Sequence, residues 1–372
     1  MFPKMTPLQR KLIEGCSPEQ LKEELGIKFF EHPDLPLVGF KYNQIDSPKT
    51  NEVVRHARGT VLEKGTWNLV AQPFVRFFNM GEHLEESSNF DWNNFSSSSK
   101  EDGSLTILYH YANEWHVNTS GSFAKWDLCL CHGSWESLFW QASTGIDLGK
   151  LDKDVTYLFE LCSPCNQVVR LYDTPQTILI GAVNRATLKD YHREELKRIG
   201  DEIKMPVVEF HPHESVECVT EFIKGTEETD PSFEGLVVRD DNGMRLKIKS
   251  STYLSLHRMA DNGNIGREKS LVPWILTGET DELLVYFPAL SEKVEIVREK
   301  MNAAFEDLVY AWEESKGLKV QKDFAQAILP RTKFASLLFR LRQNAGSNAG
   351  REELQKIWRD SEAMIVKVLF KD

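Results

Sequence analysis

Residues 233–249, Phe-Glu-Gly-Leu-Val-Val-Arg-Asp-Asp-Asn-Gly-Met-Arg-Leu-Lys-Ile-Lys, decide the fold class. The second half alternates strictly. Met244, Leu246 and Ile248 face one side, and Arg245, Lys247 and Lys249 face the other, as in a strand with one buried face. Asp240-Asp-Asn-Gly243 is a turn sequence, so the two halves predict an antiparallel hairpin. Working outward, Ser104–Tyr111, Glu114–Thr119, Val155–Cys162 and Gln176–Val183 read as further strands, and 8–24, 133–143 and 187–199 as helices. Beyond about residue 251 the strands cease. Ser291–Lys316, Gln321–Leu329, Thr332–Gln343 and Arg351–Phe370 have helical periodicity, broken by Pro330 and by the Asn344–Gly350 turn. The expectation is an α+β architecture, with antiparallel sheets and helices over 1–255 and an all-α domain over 256–372.

The chain has 372 residues, 41% hydrophobic and 27% charged, which excludes a disordered or low-complexity protein and suits two domains. No apolar run approaches the roughly 20 residues of a membrane span, and the first residues read as an amphipathic helix, so a cytoplasmic location is expected. Six scattered Cys do not suggest a disulfide scaffold. A net charge of −11 argues against a generally basic nucleic-acid coat. The excess acid lies in 1–255, with 38 acidic against 27 basic residues, while 256–372 balances 18 against 18. Polyanion binding therefore falls to a local cluster, the acid-free stretch Phe324–Arg351 with Arg331, Lys333, Arg340 and Arg342. On the helix there, Phe334, Leu337, Leu338 and Leu341 form one apolar face with cations on its shoulders. Those cations either touch phosphate or snorkel around a packed face, and the pattern favours neither.

Three features carry chemistry. Lys100-Glu-Asp-Gly-Ser104 lies between the Ser96–Ser99 run, read as a mobile loop, and the strand Ser104–Tyr111. On its own this is an ordinary surface lysine before an Asp-Gly turn. Glu160 interrupts the buried-looking run Tyr157-Leu-Phe-Glu-Leu161, where an unpaired carboxylate is costly and must meet a cation, a metal or a ligand hydroxyl. The aligned cations of Arg245, Lys247 and Lys249 make either a guarded edge strand or a clamp for a phosphate chain.

In order and spacing, the Lys100 motif, Glu160, Glu234-Gly235 and Lys247-Ile-Lys249 resemble the covalent nucleotidyltransferases, the ligases and capping enzymes. Arg58-Gly59, Phe77-Phe78-Asn79 and the continuation to Tyr253, Leu256 and His257 resemble, within these, the ATP-dependent RNA ligase 1 family of bacteriophages, over about residues 55–258. The resemblance implies a nucleotidyltransferase domain with ATP-grasp-like antiparallel sheets. It also implies ATP and Mg²⁺, with Mn²⁺ as a substitute, and a monomeric enzyme of the host cytoplasm if phage-encoded. RNA bearing 5′-phosphate and 3′-hydroxyl ends would be the partner, as single strands or tRNA-like breaks. Lys100 would be the nucleophile that forms lysyl-AMP. Arg58 would hold the nucleotide, Glu160 its ribose, and Val237 the underside of adenine. Glu234, with Glu160, would hold the metal, through water. Lys247 and Lys249 would contact the α-phosphate and the leaving pyrophosphate, and Arg331, Lys333, Arg340 and Arg342 would contact RNA. Three departures stand out: Arg76, which would also bind the nucleotide, occupies a position usually Lys; Ser120 occupies one usually basic; and the Ser96–Ser99 run replaces an approach to Lys100 that is usually more apolar.

The chemistry agrees with that set. A lysine amine is neutral in about one molecule in 2,500 at pH 7, so a nucleophilic lysine needs cations beside it that disfavour the ammonium. The same cations would stabilise charge on the transferring phosphoryl group. The alternatives are a DNA ligase, a GTP-dependent capping enzyme, or an RNA-binding protein that keeps the fold without catalysis. A helical rather than all-β tail argues against the first two, and an intact nucleophile against the third. Cys129, Cys131 and His132 with Cys162 and Cys165 make a weaker case for zinc. His257 is better read as packing than as a base. No phosphate-loop motif of the GxxxxGK[ST] type is present.

Overall fold

A computed structural model describes residues 4–83, 87–127, 133–166, 169–254, 267–286, 288–346 and 349–370. The chain divides into two compact units, Met1–His257 and Arg258–Asp372. In the first, β1 (Ile27–Glu31), β2 (Leu37–Tyr42), β3 (Arg58–Glu63) and β4 (Leu69–Ala71) form an antiparallel sheet in that order. β5 (Phe78–Asn79) and β6 (Phe95–Ser99) belong to a different sheet. The second sheet takes β7 (Ser104–Tyr111), β8 (Glu114–Thr119), β9 (Val155–Cys162) and β10 (Gln176–Asn184), in the order β10-β9-β7-β8. The third adds β11 (Phe210–His211), β12 (Gly235–Asp240) and β13 (Arg245–Lys249), in the order β11-β6-β12-β13-β5. The α+β expectation holds.

Burial explains these layers. Leu37, Val61 and Val70 from the first sheet, with Phe74 from the segment after it, interlock with Ile107, Tyr109 and Leu158 from the second. The opposite face of the second sheet packs Leu108, Val117 and Phe159 against Leu138 and Phe139 of helix Trp135–Ala142 and Leu196 and Ile199 of helix Arg193–Ile203. Leu236, Val238, Leu246 and Ile248 bury the third sheet against Val219 and Ile223 of helix Val216–Thr229. The predicted hairpin is there, with Val237 opposite Lys247 and Gly235 opposite Lys249.

Local chemistry accounts for the differences from the expected pattern. The Ser96–Ser99 run is a strand, not a mobile loop, and pairs with β12 on one side and β11 on the other. Its hydroxyls find fixed partners, Ser97 Oγ with His213 Nδ1 at 2.7 Å and Ser99 Oγ with His211 Nε2 at 2.8 Å. The helix expected over 8–24 is two, Pro7–Ile13 and Pro18–Leu25, because Ser17 starts a second capping box with Gln20. The helix expected at 187–199 begins at Arg193, since Asn184 Oδ1 accepts the N–H groups of Ala186 and Thr187 and closes a turn.

The second unit is helical among its described residues, with helices that include Ser291–Glu313, Gln321–Ile328 and Ala335–Ala345. The run expected over Arg351–Phe370 breaks into Arg351–Arg359 and Glu362–Leu369. Phe334, Leu337, Leu338 and Leu341 are buried, as their spacing requires. No helix among the described residues is long and apolar enough to cross a membrane.

Candidate active site

Three chain ends converge in the third sheet. β6 runs antiparallel to β12, so its end delivers Lys100 beside the start of β12, where Glu234 stands. β13 is antiparallel to β12 on the other side, so its end delivers Lys249 to the same place. The Lys100 backbone N–H donates to the Gly235 carbonyl at 2.9 Å, and the Ser250 N–H donates to the Glu234 carbonyl at 2.9 Å, locking the three ends together. Glycine is required at 235: its φ is +134°, and a Cβ there would lie 2.1 Å from the Ile248 carbonyl oxygen. Gly103 has a similar cause, since a Cβ would lie 2.6 Å from the Leu161 oxygen. That close approach holds the Lys100 loop against the strand that carries Glu160.

Glu234 is buried and bridges two ammonium groups, Lys100 Nζ to Oε2 at 2.7 Å and Lys249 Nζ to Oε1 at 3.2 Å. Glu160 projects from β9 opposite Leu105 of β7. Burial pushes its carboxyl up to about 7, with Glu234 and Glu101 adding to the rise while Lys100 and Arg58 oppose it. Glu101 is also raised, by burial first, against the pull of Arg170 and Lys100. Three carboxylates and four cations, Lys100, Lys249, Arg58 and Arg170, thus share one electrostatic neighbourhood. Arg58 and Lys247 each lie 5.6 Å from the Phe77 ring centroid, so one aromatic ring carries both cations. Val237, half-buried, sits on the sheet face of Lys247, its cross-strand partner.

Not every expected residue joins the group. Arg76 is 6% exposed; its guanidinium meets Glu82 at 3.2 Å and donates to the Tyr42 hydroxyl at 2.8 Å. Glu82 also accepts from the Asn79 backbone and side chain, so Arg76 braces the loop that presents Phe77. Arg245 turns to Asp190 and stacks 4.1 Å over Phe74. The three aligned cations of β13 thus meet different groups: Arg245 meets Asp190, Lys247 the Phe77 ring and Lys249 the Glu234 carboxylate. Arg331, Lys333 and Arg340 are exposed on the second unit, whereas Arg342 packs 4.4 Å over Phe324 and donates to the Lys319 carbonyl at 2.9 Å. Cys129, Cys131, His132 and His257 lie outside the described residues. Cys162 is buried, its thiol pushed up to about 12 by burial.

Two contributions escaped sequence reasoning. Asp102 is buried and accepts the Tyr253 hydroxyl at 3.0 Å, while its other oxygen accepts the N–H groups of Val169 and Arg170 at 2.9 and 2.7 Å. It thereby ties the Lys100 loop to the segment after β13, where Tyr253 also lies 5.8 Å from the Lys249 ammonium. Lys41 of β2 brings its ammonium to 2.7 Å from where a Cβ of Gly121 would be, beside Ser120. A cation thus reaches this corner from another strand. The Lys-x-Asp-Gly spacing was a usable signal for Asp102; nothing local pointed to Lys41.

A half-buried lysine is thus held by a buried glutamate and flanked by further cations and carboxylates on antiparallel strands. The family model described as RNA ligase matches residues 56–253, and the chain belongs to that family, in its phage type. It is 26% identical over 302 residues to a protein of Autographa californica nuclear polyhedrosis virus whose name joins a polynucleotide kinase to an RNA ligase, covering 76% of this chain and 42% of that protein. It is also 26% identical over 359 residues to an RNA ligase of Rhodothermus phage RM378, covering 78% of this chain and 80% of that one. Among solved structures it is similar to an archaeal ATP-dependent RNA ligase, at 14% identity and a TM-score of 0.48, over 81% of this chain and 80% of that one. The chain spans less than half the length of the nuclear polyhedrosis virus protein.

Proposed function

We propose that this protein joins RNA 5′-phosphate and 3′-hydroxyl ends at the expense of ATP, through an adenylate on Lys100. The observation that carries the reading is the Lys100–Glu234–Lys249 bridge, which puts a lysine amine in a half-buried site lined by cations. In the first step the Lys100 amine attacks the α-phosphorus of ATP. An N–P bond forms, the bond to the β-phosphate oxygen breaks, and pyrophosphate leaves. A 5′-phosphate oxygen of RNA then takes the AMP, and the N–P bond breaks. A 3′-hydroxyl finally attacks the 5′-phosphorus, sealing the strand and expelling AMP.

Each residue follows from its surroundings. Lys100 is ion-paired at rest, so Glu234 must release it before it can attack. Lys247 and Lys249 supply fixed positive charge where the leaving phosphates carry their negative charge. Arg58 on the Phe77 ring holds the nucleotide, Glu160 its ribose hydroxyls, and Val237 the underside of adenine. The acidic oxygens fit a magnesium or manganese ion: Glu160 is raised to about 7, by burial first and then by the neighbouring Glu234 and Glu101 carboxylates, and a hard divalent cation would offset both. Glu234 and Glu160 would hold it, and it would neutralise charge on the phosphates and on Glu234. The RNA is read as single-stranded or as tRNA-like breaks, the enzyme as a monomer, and its location as the cytoplasm, of the host if phage-encoded. Arg331, Lys333 and Arg340 are candidates for RNA phosphate contacts.

The test is the mass of the purified protein after incubation with ATP or with GTP. An added AMP from ATP alone, absent in Lys100→Ala, is expected. An adduct that survives Lys100→Ala, or labelling by GTP in preference, would overturn the assignment.

A further inference from the structure

The second sheet holds a cavity of about 200 Å³ away from the lysine site, lined by His32, Tyr109, Trp115, His116, Asn118 and Trp126. Tyr109 stands four residues along β7 from Leu105, the partner of Glu160, which is about 13 Å of strand. The walls are aromatic. Tyr109 stacks on His116 with centroids 5.6 Å apart and planes at 24°, and His32 meets Trp126 edge-on at 4.5 Å.

The polar groups of these walls have their roles set by the protein. Asn118 is fully buried; its Oδ1 accepts the Tyr109 hydroxyl at 3.0 Å, and its Nδ2 has no partner among the described residues. His32 Nδ1 accepts the N–H groups of Asp34 and Leu35 at 3.1 and 3.0 Å, which puts its proton on Nε2. His116 Nε2 lies 3.1 Å from the Tyr111 carbonyl and donates to it, which leaves Nδ1 as an acceptor. The Asn118 amide is sealed within the wall, so the cavity offers the His32 N–H as donor, the His116 Nδ1 as acceptor, and ring faces.

An apolar ligand would cover the His32 N–H and the His116 Nδ1 without replacing the water on them, at the cost of desolvated polar groups. A phosphate would meet Asp34, Glu114 and Glu136 against Lys125 alone. A planar heterocycle with donors and acceptors on its edge satisfies both the rings and the polar groups. We infer that this cavity is a second nucleobase pocket, separate from the lysine site, which takes one unpaired base of the RNA; the inference rests on the RNA ligase reading. Trp126, 42% exposed, offers an indole face on which that base stacks.

The experiment measures, by fluorescence anisotropy, the affinity of a 5′-phosphorylated single-stranded oligoribonucleotide, intact or with one base removed at each position in turn. Trp126→Ala should weaken binding of the intact strand on the order of 10-fold, as expected for one lost base stack, and Trp126→Tyr should restore it. In the wild type one abasic position should cost a similar factor, and in Trp126→Ala that same position should cost nothing further. Equal affinities for wild type and Trp126→Ala, or abasic effects that persist in the variant, would overturn the pocket, and a protein rather than RNA as its occupant would give that result. Self-adenylation with ATP, measured on the same samples, uses no RNA and should be equal in all of them. Absence of adenylation in the wild type would sink the ligase reading, while base-dependent binding would still decide the pocket.

Discussion

Replacing Glu160 with glutamine tests the electrostatics of the site most directly. The side chain keeps its shape and an acceptor oxygen but can no longer ionise. In the folded protein its carboxyl is raised from 4.5 to about 7, chiefly by burial and then by the neighbouring carboxylates of Glu234 and Glu101. For an acid raised on folding, both states are protonated below about pH 4.5, and Glu160 contributes nothing to the pH dependence there. Between about 4.5 and 7 the folded protein keeps a proton that the unfolded chain has lost, so stability falls as pH rises. Above about 7 the penalty is complete. At 1.36 kcal/mol per unit it amounts to at most about 3 kcal/mol, with solvent screening of this half-buried group lowering the figure. Glu160→Gln should therefore stabilise the protein relative to wild type by about 1–3 kcal/mol more at about pH 8 than at about pH 4.5. Urea unfolding of both proteins across that range measures the difference, and comparing the two cancels the titration of acids remote from the site, leaving Glu160 with the response of its coupled neighbours Glu234 and Glu101. A difference that stays flat with pH would refute the reasoning, because it would mean that Glu160 ionises as freely in the folded chain as in the unfolded one.

Three further outcomes follow from the same geometry. Lys100→Ala should lose the AMP adduct yet retain part of its ability to join RNA supplied already adenylated; equal loss of both activities in rate assays would argue for a structural lysine. Lys249→Ala should lower self-adenylation by about 10²-fold, as for one lost transition-state charge, with Arg245→Ala costing less because its guanidinium serves Asp190 and Phe74. Matching mild effects in single-turnover labelling would return β13 to a merely guarded edge. In the helical unit, Arg340→Ala should lower the slope of log RNA affinity against log salt by roughly 0.7, whereas Arg342→Ala should lower the melting temperature and leave that slope alone. Identical slopes for wild type and Arg340→Ala would leave Arg340 as a solvated surface charge.

By itself the sequence determined the strands whose side chains alternate and the helices whose apolar faces repeat. Ser104–Tyr111, Glu114–Thr119 and Val155–Cys162 appear in the structure with the bounds their periodicity predicts. Such patterns are local, because one buried face imposes a period of two on a strand or 3.6 on a helix wherever the element ends up. The order of Lys100, Glu160, Glu234 and Lys249 was equally legible, since a motif records which residues matter without recording what they touch. Only tertiary structure decided the partners. Nothing near Arg245 in the chain announces Asp190, and nothing near Arg76 announces that Glu82 folds back onto it across a loop that also fixes Asn79. The Ser96–Ser99 run reads as a loop because serine has little strand preference; two neighbouring strands and two histidines make it the inner strand that carries Lys100 to the site. The aromatic cavity owes its existence to the same cause. His32, Asn118 and Trp126 come together through the packing of two sheets, and a one-dimensional pattern holds no trace of contacts made across that distance.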